Sequence, residues 1–203
     1  MEHPYSAAER YLTALDEDWA GLIATVGPCR LSPGAEREPY EALVRAVAHQ
    51  QLHARAAEAI MGRLLAIYGG TFPTPAQLLA TPVEALRASG FSGSKITTIH
   101  GIAQGAQDGY VPERDEADVM ADEDLITRLV ELKGIGRWTV EMLLIFTLER
   151  PDVLPVDDFG VREGYRRLKA LAAAPKPKVL REIGLAWNPY RTVAAWYLWR
   201  VPK

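Results

Sequence analysis

Residues 132–140 read Leu132-Lys133-Gly134-Ile135-Gly136-Arg137-Trp138-Thr139-Val140. Two glycines, one residue apart, stand between a stretch with helical apolar spacing (Leu125, Ile126, Leu129, Val130) and an apolar run from Val140 to Leu148. The spacing predicts two helices joined by a tight hairpin, because glycine tolerates positive φ and lets backbone come close to a ligand. The N–H groups that open the second helix have no intrahelical acceptor and suit an anion. A DNA phosphate is such an anion, and a grip on it is independent of base sequence. An ordinary helix–helix turn fits the same GxG spacing, and the glycines alone do not separate the two readings.

Working outward, the rest of the chain also reads as helix. Leu12, Leu15, Trp19, Leu22, Ile23 and Val26 recur at helical spacing, which predicts one amphipathic helix over Tyr5 to Val26, with Ser6 and Glu9 as a capping box. Residues 27–38 form a Gly/Pro-rich connector, and Pro39 suits the first turn of the next helix. Tyr40 to Ile67 predicts two helices broken near His49 to His53. Thr74-Pro75-Ala76-Gln77 and Thr81-Pro82-Val83-Glu84 each pair an N-cap hydroxyl with proline at the first helical position, and so predict two short helices. A further helix is expected from about Ser94 to Gln107, and Asp122 is expected to cap another. No stretch alternates apolar and polar residues convincingly and no period of 20 to 50 residues recurs, so the expected fold class is all-α and not a solenoid.

The totals narrow the function classes. With 203 residues, 48% hydrophobic and 24% charged, the chain suits one globular domain or two small interlocked ones. Neither a signal sequence nor an apolar span of about 18 residues is present, so an intracellular, soluble protein without membrane contact is expected. Cys29 is the sole cysteine, which excludes an internal disulfide, a multi-cysteine zinc site and an iron–sulfur cluster. The net charge of -3 is unpromising for a DNA-binding protein, but residues 159–203 carry ten Lys or Arg against two acids. That basic footprint fits phosphate, and it equally fits a solvated helix face.

Two further segments turn the hairpin into a pattern. Leu154-Pro155-Val156-Asp157-Asp158-Phe159-Gly160-Val161-Arg162 follows some 20 residues on. Near the end comes Trp187-Asn188-Pro189-Tyr190-Arg191, followed by Ala194-Ala195-Trp196-Tyr197-Leu198-Trp199-Arg200. With Gly134-Ile135-Gly136-x-Trp138-Thr139, these segments resemble the helix-hairpin-helix DNA glycosylases, and within them the 3-methyladenine glycosylase II (AlkA-type) branch. The resemblance runs from about residue 35 to 203, and the chain resembles the compact form that lacks an N-terminal mixed α/β domain.

The resemblance implies roles. Asp158 is the catalytic carboxylate: breaking an N-glycosidic bond develops positive charge on the deoxyribose, which a carboxylate stabilises while it orients or deprotonates water. Asp157 is read as the cap of the helix beginning at Phe159; without the resemblance both acids read as caps. Trp138 and Trp199 match aromatic positions of the base pocket, where electron-rich faces attract a cationic alkylpurine, although by pattern alone both read as core. Trp138 also stands where the bifunctional lyases carry the lysine that forms a Schiff base, so a monofunctional enzyme using water is expected. Gln51 and Leu52 are candidate wedge residues that fill the gap left by a flipped base, with His53 a candidate minor-groove contact or else a capping or core residue. Lys133, Gly134, Gly136 and Arg137 are expected to face phosphate. The backbone carbonyls of Val130, Leu132 and Ile135 are implied as ligands of a structural sodium or potassium ion, and no organic cofactor is implied. Tyr190, Trp187, Trp196 and Tyr197 read as packing.

The expected architecture is two helical subdomains flanking a DNA-binding cleft, residues 35 to 149 forming one and residues 1 to 34 with 150 to 203 the other. The expected partner is double-stranded DNA containing alkylated bases, bound by a monomer, in the bacterial cytoplasm beside the nucleoid or in a eukaryotic nucleus. Three rivals remain: a non-catalytic helix-hairpin-helix DNA-binding module, a helical protein-interaction domain, and a bifunctional lyase acting on oxidised bases. The acid pair and the aromatic ending argue against the first, since phosphate binding needs neither.

Overall fold

The computed structural model describes residues 3–34 and 36–202. In chain order its helices are α1 (Ser6–Thr13), α2 (Glu17–Val26), α3 (Pro39–His49), α4 (Ala54–Ile67), α5 (Pro75–Ala80), α6 (Val83–Ala88), α7 (Gly93–Gln107), α8 (Arg114–Val119), α9 (Asp122–Leu129), α10 (Arg137–Phe146), α11 (Phe159–Leu168), α12 (Pro177–Ile183) and α13 (Arg191–Leu198), with a 3-10 turn at Gly184–Trp187. No strand occurs among the described residues, so the fold is all-α as expected. None of these helices is long and apolar enough to cross a membrane. The chain divides into two compact units, Gly34–Leu148 and the remainder, Met1–Pro33 with Glu149–Lys203.

In the Gly34–Leu148 unit, α3 lies at the centre because its sequence leaves it only a narrow polar stripe, Glu41, Arg45 and His49. Eight of its eleven residues are buried, among them Leu43, Val44 and Val47. A helix with so wide an apolar face must bury it on several sides, and α4, α7 and α10 pack against it. Ile99 and Ile102 of α7 and Val140 and Leu144 of α10 are fully buried. Each such side chain contributes roughly 1.5–3 kcal/mol of apolar burial. Thr74 and Gln77 form the expected capping box on α5. The second anticipated cap does not form: Thr81 Oγ1 donates to the Gln77 carbonyl and meets the Tyr68 hydroxyl, while Pro82 takes the N-cap position of α6. Likewise Ala121, not Asp122, stands at the N-cap of α9.

In the other unit, α13 is buried from Thr192 to Leu198 and packs on α11, α1 and α2. The Tyr197 hydroxyl lies within reach of Glu9 Oε1 (2.9 Å) and the Gly27 carbonyl (3.0 Å), tying the end of the chain to its beginning. Trp187, Trp196 and Tyr197 are core residues, and Trp19 meets Trp187 edge-on at 5.4 Å between centroids. The single amphipathic helix expected over Tyr5 to Val26 is two helices. Asp16 adopts an extended backbone and caps α2 by accepting from the Trp19 amide (3.1 Å), while Lys169 bridges Asp16 and Asp18. The expected Ser6–Glu9 capping box is also absent. Ser6 Oγ donates to the His3 carbonyl, and Glu9 accepts instead from the Cys29 amide and Tyr197.

The basic footprint of residues 159–203 is largely occupied within its own unit. Arg166 and Arg167 pair with Glu163, Lys169 with the two aspartates, and Arg191 with Asp152 at 2.7 Å. Burial opposes the charged form of Asp152, but the Arg191 hydrogen bonds outweigh it and hold the carboxyl below its ordinary value. Lys176, Lys178 and Arg181 on and beside α12 are exposed.

Candidate functional site

The hairpin residues form a tight turn from α9 into α10. The Ile135 amide donates to the Leu132 carbonyl (3.0 Å), and Ile135 is buried, which pins the turn to the core. Gly134 has φ +87°, and a Cβ there would lie 2.1 Å from Thr98 Oγ1 on α7. Both facts require glycine. Gly136 occupies the N-cap of α10 with extended backbone, so the amides that follow open the helix toward solvent. Lys133, Gly134 and Gly136 are all exposed.

The Arg137 side chain meets two carboxylates. Its guanidinium donates to both oxygens of Glu123, one at 2.9 Å, and its Nε donates to Glu141 Oε1 at 3.0 Å. Hydrogen bonding to Glu123, aided by the charge of Glu141, raises the guanidinium above its ordinary value. The Glu141 side chain is only 3% exposed, so Arg137 neutralises a buried carboxylate and the side chain expected at phosphate is already engaged.

The turn between α3 and α4 presents the wedge candidates. Gln50 is the C-cap of α3, and Gln51 takes φ +56°, a conformation uncommon for a residue with a Cβ. The Leu52 amide donates to the His49 carbonyl, and Leu52 is 42% exposed. Leu52 thus presents apolar surface beside strained backbone. His53 stands at the N-cap of α4, but its side chain makes no cap bond and is exposed, which excludes the capping and core readings.

Asp158 is the N-cap of α11. Its Oδ1 accepts from the Val161 amide at 2.8 Å and from Trp199 Nε1 at 2.9 Å. The cap expected of Asp157 therefore belongs to Asp158, and Asp157 is exposed. The two hydrogen bonds fix the orientation of the Asp158 carboxylate. Gly160, one residue past the start of α11, makes the indole contact possible: a Cβ there would stand 2.9 Å from Trp199 Cδ1 and 3.1 Å from Asp158 Oδ1. At Gly164, one turn on, a Cβ would stand 2.0 Å from the Leu198 carbonyl oxygen, so α13 approaches this face of α11 backbone to backbone. Trp138 and Trp199 are both half-buried.

This arrangement coincides with a known family. A family model described as the HhH-GPD superfamily base excision DNA repair protein matches residues 44–189. The chain belongs to the HhH-GPD superfamily. It is 47% identical over 198 residues to DNA-3-methyladenine glycosylase 1 of Schizosaccharomyces pombe, an alignment covering 97% of this chain and 87% of that protein. The solved structure of the S. pombe 3-methyladenine DNA glycosylase in complex with abasic DNA superposes with a TM-score of 0.91 at 46% identity, covering 96% of each chain. A Clostridium acetobutylicum 8-oxoguanine glycosylase/lyase shares the fold at 15% identity, with a TM-score of 0.79 over 98% of this chain and 71% of that one.

Several side chains beside these residues, in each unit, are not singled out by the sequence. Gln50 Nε2 donates to the Gly134 carbonyl (3.2 Å) and to Thr139 Oγ1 (3.0 Å). Lys95 donates to two carbonyls of the α3 terminus, and Thr98 packs against Gly134. Trp199 was read as a pocket wall and is also a hydrogen-bond donor to the acid. Each partnership spans more than 35 residues of chain, and no local spacing signals it.

Proposed function

We propose that this HhH-GPD protein is a monofunctional DNA glycosylase of base excision repair, which flips alkylated purines out of DNA and hydrolyses their N-glycosidic bonds. The observation that carries the reading is the Asp158 carboxylate, fixed through Oδ1 by the α11 amide and the Trp199 indole, in a chain 47% identical to a DNA-3-methyladenine glycosylase. Departure of the base leaves an oxocarbenium-like sugar, and a prepositioned anion stabilises it without reorganising during the reaction. The same carboxylate orients water for attack at the anomeric carbon. Position 138 offers an indole and no amine, which disfavours the Schiff-base route of a lyase.

The substrates are cationic alkylpurines such as 3-methyladenine and 7-methylguanine. Their charge makes them good leaving groups and draws them to the faces of Trp138 and Trp199. Gln51 and Leu52 fill the space vacated by the base, His53 contacts the minor groove, and Lys133 with the amides at Gly134 and Gly136 grips phosphate. Carbonyl oxygens are hard donors, and Val130 closes α9, where the last carbonyls lack intrahelical donors. The carbonyls of Val130, Leu132 and Ile135 would hold a sodium or potassium ion, which would supply positive charge to the hairpin. The protein acts as a monomer inside the cell, on duplex DNA.

The test incubates wild-type protein and Asp158→Asn with alkylated duplex DNA, and follows free methylated base by chromatography and strand breaks before and after alkali. Base release by wild type alone, with breaks only after alkali, is the expected result. DNA binding by both proteins with base release by neither would instead establish a non-catalytic module.

A further inference from the structure

The α3–α4 turn is held from below by a side chain that the proposed reaction does not use. Lys95, on the first turn of α7, sends its ammonium to the Ala48 carbonyl (3.0 Å) and the Gln50 carbonyl (2.8 Å). These belong to the end of α3, where carbonyls lack intrahelical donors and a cation complements the helix dipole. Lys95 is half-buried, and burial pushes its ammonium below the ordinary lysine value. A desolvated ammonium at this position therefore depends on its two carbonyl partners.

The same helix also braces the hairpin. Thr98, one turn beyond Lys95, lies against Gly134 so closely that no Cβ fits between them. Gln50 completes the link, its amide donating to the Gly134 carbonyl and Thr139 Oγ1 while its own carbonyl accepts from Lys95. The turn carrying Gln51 and Leu52 is thereby joined to the hairpin through Gln50 and to α7 through Lys95. Gln51, in the left-handed region, is the residue such a brace must hold in place.

We infer that Lys95 is a positioning residue for base flipping: with Gln50 it locks the Gln51–Leu52 turn to the phosphate-binding hairpin, so that gripping the backbone sets the depth at which the turn enters the duplex. The inference rests on the reading of Gln51 and Leu52 as the wedge. Insertion works against base stacking, and a turn that yields under that load transfers less of the binding energy to extrusion. Preorganisation removes the yield. Lys95 touches neither base nor sugar in this scheme, and its ammonium, occupied by carbonyls, does not count among the phosphate contacts.

The experiment compares base release from an oligonucleotide carrying one 7-methylguanine, as a duplex opposite cytosine and as a single strand, where nothing need be flipped. For Lys95→Met the duplex-to-single-strand ratio of kcat/KM falls about tenfold, a difference of about 1.4 kcal/mol in the flipping-dependent barrier. A variant that merely folds poorly loses both activities together and leaves the ratio unchanged, which overturns the inference. Lys95→Arg, whose guanidinium still reaches both carbonyls, keeps the ratio within about threefold of wild type, as expected when donors to those carbonyls are what matters. Leu52→Gly tests the underlying reading separately. A ratio lowered by Leu52→Gly but not by Lys95→Met removes the role of Lys95 and leaves the wedge standing, whereas no change in either removes both. The salt dependence of binding to undamaged duplex stays that of wild type in Lys95→Met; a slope reduced by about one marks a phosphate contact and overturns the positioning role.

Discussion

Gly160→Ala tests whether the Trp199 indole holds Asp158 for catalysis. In most helices the exchange is favourable by up to about 1 kcal/mol, because alanine loses less backbone freedom. Here the new methyl arrives 2.9 Å from Trp199 Cδ1 and 3.1 Å from Asp158 Oδ1. Carbon–carbon contacts settle at about 3.5–4.0 Å, so the indole must retreat by roughly 0.5–1 Å. The Nε1–Oδ1 hydrogen bond, 2.9 Å long, then stretches past the limit of a useful bond. A hydrogen bond to a charged group contributes about 1.5–3 kcal/mol, and losing it from the reacting state slows base release by roughly 10- to 100-fold. The lost hydrogen bond and the crowding outweigh the propensity gain, so the melting temperature also falls, by about 2–4 °C for each kcal/mol at this chain length. Trp199→Phe removes the donor and keeps an aromatic face, and it slows release to a similar extent. Because both variants lose one bond, the double variant is no slower than the worse single, as a double-mutant cycle under single-turnover conditions will register. Full activity of Gly160→Ala beside an inactive Asp158→Asn would refute the claim that the indole holds the acid for catalysis. Additive losses would show two separate roles.

Three further outcomes follow from the hairpin. Gly134→Ala places a Cβ 2.1 Å from Thr98 Oγ1 at φ +87°, so it destabilises the protein by about 2–4 kcal/mol from backbone strain and overpacking together. Adding Thr98→Ala removes the hydroxyl and methyl and recovers the overpacking part but not the strain, a partial rescue that urea denaturation can measure. Arg137→Ala withdraws the cation from a Glu141 side chain only 3% exposed, and costs about 1–3 kcal/mol of stability without changing the salt dependence of DNA binding. Lys133→Ala does the reverse, lowering the salt slope by about one at little cost in stability. A reduced slope in Arg137→Ala would return that guanidinium to the phosphate contacts.

The fold class was legible because its signals are local. Helical apolar spacing, the Thr74 capping box, proline at the start of α3 and the paired glycines of the hairpin each lie within a few residues, and each appears where its local chemistry places it. The misreadings are also instructive. Apolar spacing carried the first helix through Leu15 to Val26, yet the acid run Asp16-Glu17-Asp18 is a helix-start signal, and Asp16 breaks the helix by capping Trp19. Thr81 carried the right residue type for a cap and was taken instead by Tyr68 and Gln77, partners that the spacing did not weigh.

The sequence by itself determined that the chain is helical, that two glycines mark a hairpin, and that an acid pair followed by an aromatic ending is the place to look for chemistry. Only the tertiary structure decided that Trp199 donates to the acid capping α11 and that Lys95 and Gln50 join the α3 terminus to the hairpin. The physical reason is the range of the interactions. Propensity, capping and turn chemistry act over a few residues and leave a periodic trace, whereas a hydrogen bond between residues 41 or 47 positions apart exists only once packing has brought its ends together.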